Sequence, residues 1–397
     1  MACVANLQYG WTLFVGPIDA KYGWGRADIQ VAFTLFVLIE TWLIPVETYF
    51  VDKYGPRWVV VGGAVLISSA WILNSMANSL PLLYIGAALG GIGTGCVYGT
   101  CVGNALKWFP GRRGLAAGIT AAGFGAGAAV TVVPISNMIR TQGYEQAFLF
   151  FGILQGVIVL SMAMLLRKAP PQLSAGAKVK ASLSARDYTP SEVLRNPVFW
   201  VLYLLFVLVA TGGLTFAASI APYARDMKLD AIPVELLGFV LPALTMAISF
   251  DRVFDGVGRP FFGWVSDRIG RENTMFIAFG LGAAALFLWS TYGSNPLVFV
   301  LASAMYFGVY GEIFSLFPAT QGDTFGSKFA ATNAGMLYTA KGTAALGVPF
   351  ASALAQSQGW GAVFTLAIGF NITAALLAMF VLKPMRTRHL AASRNPV

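Results

Sequence analysis

Long apolar stretches alternate with short polar turns along almost the whole chain. Most of these stretches reach the roughly 20 residues that an α-helix needs to cross the hydrocarbon core of a bilayer. The pattern predicts twelve membrane-spanning helices, at residues 1–18, 29–51, 58–77, 80–105, 115–139, 147–166, 197–220, 234–265, 274–292, 297–318, 332–355 and 361–382. We therefore expect an all-α membrane protein.

One long polar segment, residues 167–196, divides the predicted helices into six and six. This division predicts a six-helix bundle at residues 1–166, a cytoplasmic linker at 167–196, and a second bundle with a cytoplasmic tail at 197–397. The first helix is short, because only about 15 apolar residues precede Pro17 and Asp19, fewer than a span requires. The sequence thus predicts a first helix truncated at its N-terminus, through a misassigned start codon or a shortened chain.

The composition agrees with a membrane protein, since 57% of the residues are apolar and only 11% are charged. Of the 26 Lys and Arg residues, eighteen fall in loops on one predicted side and five on the other. By the positive-inside rule, this asymmetry predicts cytoplasmic termini. Because the net charge of +9 follows the membrane topology, it indicates no nucleic-acid partner.

Metal and cofactor chemistry is not indicated. Cys3, Cys96 and Cys101 lie in apolar segments, and the single histidine, His389, lies in the polar tail. This distribution predicts no disulfide framework, metal site or cofactor, and no nucleophile–base pair appears at helical spacing. We expect no enzyme and no obligatory protein partner, hence a monomer in the lipid bilayer. A membrane-embedded enzyme stays as a remote alternative.

The two predicted halves repeat a charged loop. The segment Val51-Asp52-Lys53-Tyr54-Gly55-Pro56-Arg57 follows span 2, and Gly263-Trp264-Val265-Ser266-Asp267-Arg268-Ile269-Gly270-Arg271 follows span 8. Internal duplication is typical of secondary transporters, whose substrate site lies between the repeats. An acid at a helix end can pair with basic groups and a neighbouring helix terminus, which predicts a gating latch. A solvated charged turn is the alternative. The predicted latch residues are Asp52, Arg57, Gly263, Asp267, Arg268 and Arg271.

Two basic residues, Arg259 and Lys341, lie about halfway along predicted spans, where a charge costs roughly 2.5–3.5 kcal/mol on insertion scales. Arg259 precedes Asp267 by eight residues, which places it about 12 Å inside the membrane, and Lys341 and Gln8 come to a similar depth. Two cations at one depth predict a site for a small dicarboxylate. Aromatic residues of comparable depth are candidates for the site lining or for packing: Tyr9, Trp11, Tyr98, Phe124, Tyr310, Phe314 and Tyr338.

Acidic residues also lie at membrane depth and change this picture. Asp255 is one helical turn from Arg259, so a structural ion pair is the alternative reading of the arginine. Uncompensated carboxylates in a membrane should pair, bind a proton or face water. Glu40, Asp255 and Glu312 are therefore candidates for proton coupling, with structural ion pairs as the alternative.

The nine-residue loop pattern resembles the major facilitator superfamily, and several further motifs make the chain similar to its oxalate/formate antiporter family. These are Gln8-Tyr9-Gly10-Trp11-Thr12-Leu13, Lys107-Trp108-Phe109-Pro110, Arg113-Gly114-Leu115-Ala116, Gly258-Arg259-Pro260-Phe261 and Ala340-Lys341. The resemblance implies that Arg259 and Lys341 bind the two carboxylates of oxalate, and that Gln8, Tyr9 and Tyr98 help to enclose it. Because the members of this family are bacterial, the resemblance also implies the inner membrane of a bacterium. It also marks departures: Tyr310 and Tyr338 stand where tryptophans occur in the family, and Asp255 and Glu312 stand where neutral residues occur.

These expectations define a transporter that works by alternating access, with the two bundles rocking about the site. A site holding two cations without an anion should resist closure, because closure removes water from both charges. The sequence therefore favours exchange of one anion for another. A proton-coupled monocarboxylate transporter is the alternative within transport. A receptor would need a signalling domain that the linker is too short to supply.

Overall fold

The computed structural model describes residues 1–170 and 183–394. Lys178 and Lys180, two of the basic residues assigned to the cytoplasmic side, lie outside these ranges. Residues 1–170 form eight helices: α1 (Asn6–Tyr9), α2 (Thr12–Tyr22), α3 (Arg26–Trp42), α4 (Ile44–Tyr54), α5 (Pro56–Ser75), α6 (Leu80–Trp108), α7 (Arg113–Gln142) and α8 (Tyr144–Leu165). A 3₁₀ turn at Ala2–Val4 precedes them.

Residues 183–394 contain ten helices and one hairpin. They are α9 (Pro190–Leu194), α10 (Pro197–Asp226), β1 (Pro233–Leu236), β2 (Phe239–Pro242), α11 (Ala243–Ile269), α12 (Arg271–Tyr292), α13 (Pro296–Tyr310), α14 (Ile313–Phe325), α15 (Ala330–Ala345), α16 (Gly347–Gln358), α17 (Trp360–Leu377) and α18 (Lys383–Arg394). A π-helical turn at Ala378–Leu382 connects the last two.

The predicted spans correspond to these helices, but several are broken. Within the described ranges, eight helical stretches are long and apolar enough to cross a membrane, and a ninth arises if α3 and α4, bent by 42°, count as one span. The segment predicted as span 1 is divided into α1 and α2, and that predicted as span 11 into α15 and α16. Helix α11 carries several charged residues, which lowers its mean hydropathy although it is 27 residues long.

The start of span 8 was predicted wrongly. Residues 233–242 form an antiparallel hairpin, in which Leu236 pairs with Phe239, and helix α11 begins only at Ala243. The two turn residues, Leu237 and Gly238, have φ values of 53° and 81°, the backbone conformation that a tight two-residue hairpin requires. Hydropathy cannot distinguish such an apolar hairpin from the first turns of a helix.

The short helix α9 gives the linker a defined end. Thr189 caps its N-terminus and exchanges hydrogen bonds with Glu192 in a complete capping box. Hydrogen bonds from the Thr189 backbone and side chain hold the pKa of Glu192 below its usual value. The preceding backbone is also fixed, because the Tyr188 amide donates to the Phe325 carbonyl.

Contacts between Cα atoms group the chain into two compact units. Unit 1 comprises Met1–Pro110, Gly123–Ala177 and Ser327–Thr339, and unit 2 comprises Gly111–Ala122, Lys178–Gly326 and Ala340–Val397. The core of unit 1 includes a cluster of Phe14, Trp71 and Phe148, with the two phenylalanine rings stacked 3.9 Å apart. The bundle boundaries at residues 166 and 197 remain a prediction.

The core of unit 2 is rich in large aromatic side chains. Phe216 packs against Trp289 and Phe364, with ring centroids 5.1 and 4.8 Å away. Elsewhere the helices approach closely: a Cβ atom added to Gly258 would overlap the backbone of Gly308. Small residues permit this spacing between α11 and α13, which brings the middle of α11 close to its neighbours.

Candidate functional site

Arg259 lies in the middle of α11 and is 2% exposed. Its Nη2 donates to Asp255 Oδ2 at 2.6 Å, and its Nε donates to Asp255 Oδ1 at 3.4 Å. Its Nη1 donates to the backbone carbonyl of Ala121 at 2.9 Å. The structural ion pair that the sequence analysis gave as the alternative is therefore present. Arg259 already has a counter-charge, the carboxylate of Asp255.

The break between α13 and α14 holds this ion pair in place. A Cβ atom added to Gly311 would lie 2.6 Å from Asp255 Oδ1 and 3.1 Å from Arg259 Cγ. The ring of Phe314 covers the guanidinium of Arg259 at 4.4 Å, and Tyr310 packs edge-on against Phe314. Gly311 thus lets the chain approach both charged groups, and the aromatic face adds a cation–π contact.

Lys341 lies on α15 and is 3% exposed. Its side chain is therefore buried inside the protein and does not face lipid. Apart from Lys341 itself, residues 334–345 of this helix carry no charge: Ala-Gly-Met-Leu-Tyr-Thr-Ala-Lys-Gly-Thr-Ala-Ala. A basic side chain buried at mid-helix is costly, which is why intramembrane charges usually mark a functional site.

Four of the predicted aromatic residues come together in unit 1. The Phe124 ring packs edge-on against Tyr9 at 5.6 Å and against Tyr98 at 5.4 Å. Tyr98 also contacts Tyr338, with ring centroids 4.8 Å apart. These residues come from α1, α6, α7 and α15. The sequence identified the members of this aromatic cluster, and the structure shows their mutual contacts.

Gln8 and Trp11 flank Tyr9 in the broken first helix. Trp11 is 3% exposed and Gln8 is half-buried. Neither the Trp11 Nε1 nor the Gln8 Oε1 has a hydrogen-bond partner among the described residues. Buried polar atoms of this kind are normally satisfied, so both groups are suited to meeting a polar ligand.

The candidate acids differ in their surroundings. Asp255 is committed to Arg259, as described above. Glu312, in the α13–α14 break, is fully buried, and neither of its carboxylate oxygens has a hydrogen-bond partner among the described residues. Glu40 is fully buried on α3, where its backbone lies against Gly91 and Gly95 of α6.

The second charged loop forms an interaction of the kind predicted for a latch. Asp267 accepts hydrogen bonds from the backbone amides of Gly114 and Leu115, at 3.0 and 2.9 Å, at the N-terminus of α7. It also forms an ion pair with Arg271 at 2.7 Å. Gly263 packs directly on the backbone of Gly114, which leaves no room for a side chain. A carboxylate at a helix N-terminus is stabilised by the exposed amides and the helix dipole.

The first charged loop forms the equivalent interaction in unit 1. Asp52 accepts from the Thr332 amide at 2.9 Å and from its hydroxyl at 2.6 Å, at the N-terminus of α15. Lys107 forms an ion pair with the other oxygen of Asp52. In both loops the acid therefore binds the first turn of a helix that the sequence analysis assigns to the other bundle.

Two predicted latch residues do not take part in these contacts. Arg57 is exposed at the start of α5. Arg268 is also exposed, and its guanidinium lies 3.8 Å from the ring of Trp264. The basic groups that do contact the acids are Lys107 and Arg271.

Sequence reasoning missed the buried acid Asp323. It pairs with Arg113 at 2.9 Å and with Arg271 at 2.9 Å, and all three side chains are nearly inaccessible to solvent. Thr332 was also missed, because a threonine in an apolar helix carries no recognisable signal. One signal for Asp323 was available: it is an acid that follows predicted span 10, in a loop predicted to lie on the basic side of the membrane.

Within the described ranges, no group of three His, Cys, Asp or Glu residues has a geometry suited to a metal ion. Unit 2 contains the two buried basic side chains, Arg259 and Lys341. Basic groups of this kind can bind an anion without forming a covalent bond.

Comparison with known proteins shows which family the sequence matches. A model of the Major Facilitator Superfamily matches residues 1–345 and, in a second match, residues 253–396. The sequence is 36% identical to the oxalate:formate antiporter of Oxalobacter formigenes over 387 residues, which covers 97% of this chain and 90% of that protein.

Solved structures share the fold at much lower identity. The proton:xylose symporter XylE has a TM-score of 0.72 at 12% identity, covering 96% of this chain and 94% of the symporter. The human organic anion transporter MFSD10 (TETRAN) has a TM-score of 0.66 at 14% identity, covering 93% of this chain and 89% of that protein. At this level of identity the similarity concerns the fold alone.

Proposed function

Since the chain belongs to the major facilitator superfamily and is a multi-pass membrane transporter, not an enzyme, we propose that it exchanges small carboxylate anions, oxalate and formate foremost. The substrate assignment is supported by the 36% identity to an oxalate:formate antiporter across nearly the entire chain. Exchange proceeds by alternating access, in which two six-helix bundles, residues 1–166 and 197–397, expose the site to one side of the membrane at a time.

The observation that carries this proposal is the burial of two basic side chains in the middle of helices. Arg259 is 2% exposed and Lys341 is 3% exposed. A guanidinium binds a carboxylate through two parallel hydrogen bonds, and Arg259 already displays this geometry with Asp255. Lys341 provides a point charge for a second carboxylate.

The remaining predicted residues have supporting roles in the proposal. Gln8, Tyr9, Trp11, Tyr98, Phe124 and Tyr338 contribute walls and polar contacts, Phe314 covers Arg259, and Tyr310 packs against Phe314. The latches at Asp52 and Asp267 stabilise one gating state, because each holds the N-terminus of a helix from the other predicted bundle. The basic asymmetry of the loops supports cytoplasmic termini, and the similarity to the antiporter of Oxalobacter formigenes supports a bacterial inner membrane.

The ion pair between Arg259 and Asp255 affects how readily the empty site can close. The sequence predicted that an empty site resists closure because two cations would lose their water. Asp255 supplies a carboxylate to Arg259 without substrate, so the penalty for closing the empty site is smaller than that prediction assumed. We therefore propose exchange as the main activity. How strongly uptake depends on an internal anion has to be measured.

Counterflow in proteoliposomes tests this function. Vesicles loaded with formate should take up labelled oxalate much faster than vesicles without an internal anion. The Lys341→Gln variant should lose oxalate uptake while eluting as a folded protein, because an amide cannot provide the point charge. Lys21→Gln, a change at an exposed lysine, serves as the matched control. Wild-type uptake by Lys341→Gln would remove Lys341 from the site.

A proton-coupled monocarboxylate transporter is the second candidate, favoured by Glu312. A fully buried carboxyl group without a hydrogen-bond partner among the described residues is far more stable with a proton than as an anion. Uptake of formate driven by an inward proton gradient, without an internal anion, would favour this candidate. If uptake requires an internal anion and ignores the gradient, exchange is the better description.

A further inference from the structure

The guanidinium of Arg259 is engaged by the protein itself in the conformation described here. Asp255 occupies its Nη2 and Nε, the Ala121 carbonyl occupies Nη1, and Phe314 covers one face. The Asp255 carboxylate thus sits in the position and the two-pronged geometry that a substrate carboxylate would take. A substrate can reach the same hydrogen bonds only by displacing Asp255 or by sharing the guanidinium with it.

We propose that Asp255 is an internal counter-anion that competes with the substrate carboxylate for Arg259 and thereby shifts selectivity from doubly charged towards singly charged anions. This inference rests on the proposed function and concerns its specificity. Asp255 acts through Arg259, so it is a positioning residue and need not touch the substrate.

The packing around the pair makes the competition unavoidable. Asp255 is 4% exposed, and it lies one turn before Arg259 on the same helix. Gly311 closes over both side chains, so that even a methyl group at this position would overlap Asp255 Oδ1. Asp255 therefore stays near Arg259 after a substrate enters, and its negative charge acts on whatever anion is bound.

The effect on selectivity follows from the charges. Coulomb repulsion scales with the product of the two charges, so a fixed negative group penalises a dianion twice as much as a monoanion at the same position. Removing the charge of Asp255 makes the surroundings of Arg259 more positive by one elementary charge. This change does not depend on the protonation of the other acids. The gain in the binding free energy of the anion is consequently larger for oxalate than for formate.

The experiment compares kcat/KM for oxalate and formate in proteoliposomes containing wild type, Asp255→Asn or Asp251→Asn. We expect Asp255→Asn to raise the oxalate-to-formate ratio by about tenfold or more, mainly through a lower KM for oxalate. Asp251→Asn is the matched control, because Asp251 is one turn earlier on α11, is also buried, and makes the same chemical change. Its ratio should stay within about threefold of wild type, since an effect that requires contact with Arg259 falls off with distance.

Several outcomes would overturn the inference. An unchanged ratio in Asp255→Asn, or an equal shift in Asp251→Asn, shows that contact with Arg259 does not set selectivity. If Asp255→Asn does not fold, Asp255→Glu decides: because the charge is kept, its ratio should remain within about threefold of wild type, and a tenfold shift towards oxalate contradicts the proposal. A wild type that carries neither anion would instead overturn the proposed function, which distinguishes the two failures.

Discussion

Replacing Asp323 with asparagine tests the charge cluster beneath the Asp267 latch. Asp323 neutralises two buried arginines, Arg113 and Arg271, through contacts of 2.9 Å each. Removing one partner of a buried ion pair costs about 3–5 kcal/mol, because the remaining charge stays buried without compensation. Arg271 retains its pair with Asp267, so the two losses do not add fully. We expect Asp323→Asn to lower the free energy of unfolding by about 3 kcal/mol.

The assay is chemical or thermal unfolding of the purified protein in detergent, monitored by helical circular dichroism. Glu145→Gln is the matched control, since it breaks an ion pair with Lys21 in which both side chains are substantially exposed. Exposed pairs contribute little to stability, so the control should unfold like wild type. The reasoning is refuted if Asp323→Asn also unfolds within about 1 kcal/mol of wild type, because the two arginines would then need no common carboxylate.

Three further predictions concern the latches and the close contacts between helices. Gly263→Ala places a methyl group against the Gly114 backbone and should slow transport strongly, whereas Gly280→Ala, where nothing lies within 4 Å, should leave the transport rate unchanged; equal rates in both variants would contradict the close-contact argument. Asp52→Asn removes the charge that holds Thr332 and Lys107, so a cysteine introduced near the N-terminus of α15 should react faster with a soluble maleimide than in wild type. Gly311→Val should disturb both Asp255 and Arg259 and abolish oxalate uptake, and normal uptake would show that the α13–α14 break does not position them.

The order and approximate positions of the apolar helices could be predicted because hydropathy is a local property, whereas the predicted number of twelve spans exceeds the eight or nine found in the described ranges. Stretches of about 20 apolar residues have few alternatives to a spanning helix, since backbone groups must be satisfied within the segment. The predicted helices differ from the structure at two places where hydropathy gives no signal. Residues 233–242 are as apolar as a helix start, yet the Leu237–Gly238 turn and the flanking prolines make a hairpin. The break at Gly311 also gave no hydropathy signal.

The candidate site likewise has features that the sequence predicted and features that only the structure shows. Spacing alone brought Asp255 within one turn of Arg259, and the sequence left open whether they pair. Tertiary packing decided this, because Gly311 and Phe314 hold the carboxylate against the guanidinium. The contacts of Asp323 with Arg113 and Arg271 could not be inferred at all, since these residues are distant in the chain.

The sequence by itself determined a helical membrane transporter with two buried basic residues and two charged loops, because hydropathy, loop charge and helical spacing are properties of neighbouring residues. Only the tertiary structure decided which acid neutralises which base. A charge buried away from water is stabilised by whichever counter-charge the packed helices bring within hydrogen-bonding distance, and that choice depends on segments far apart in the chain.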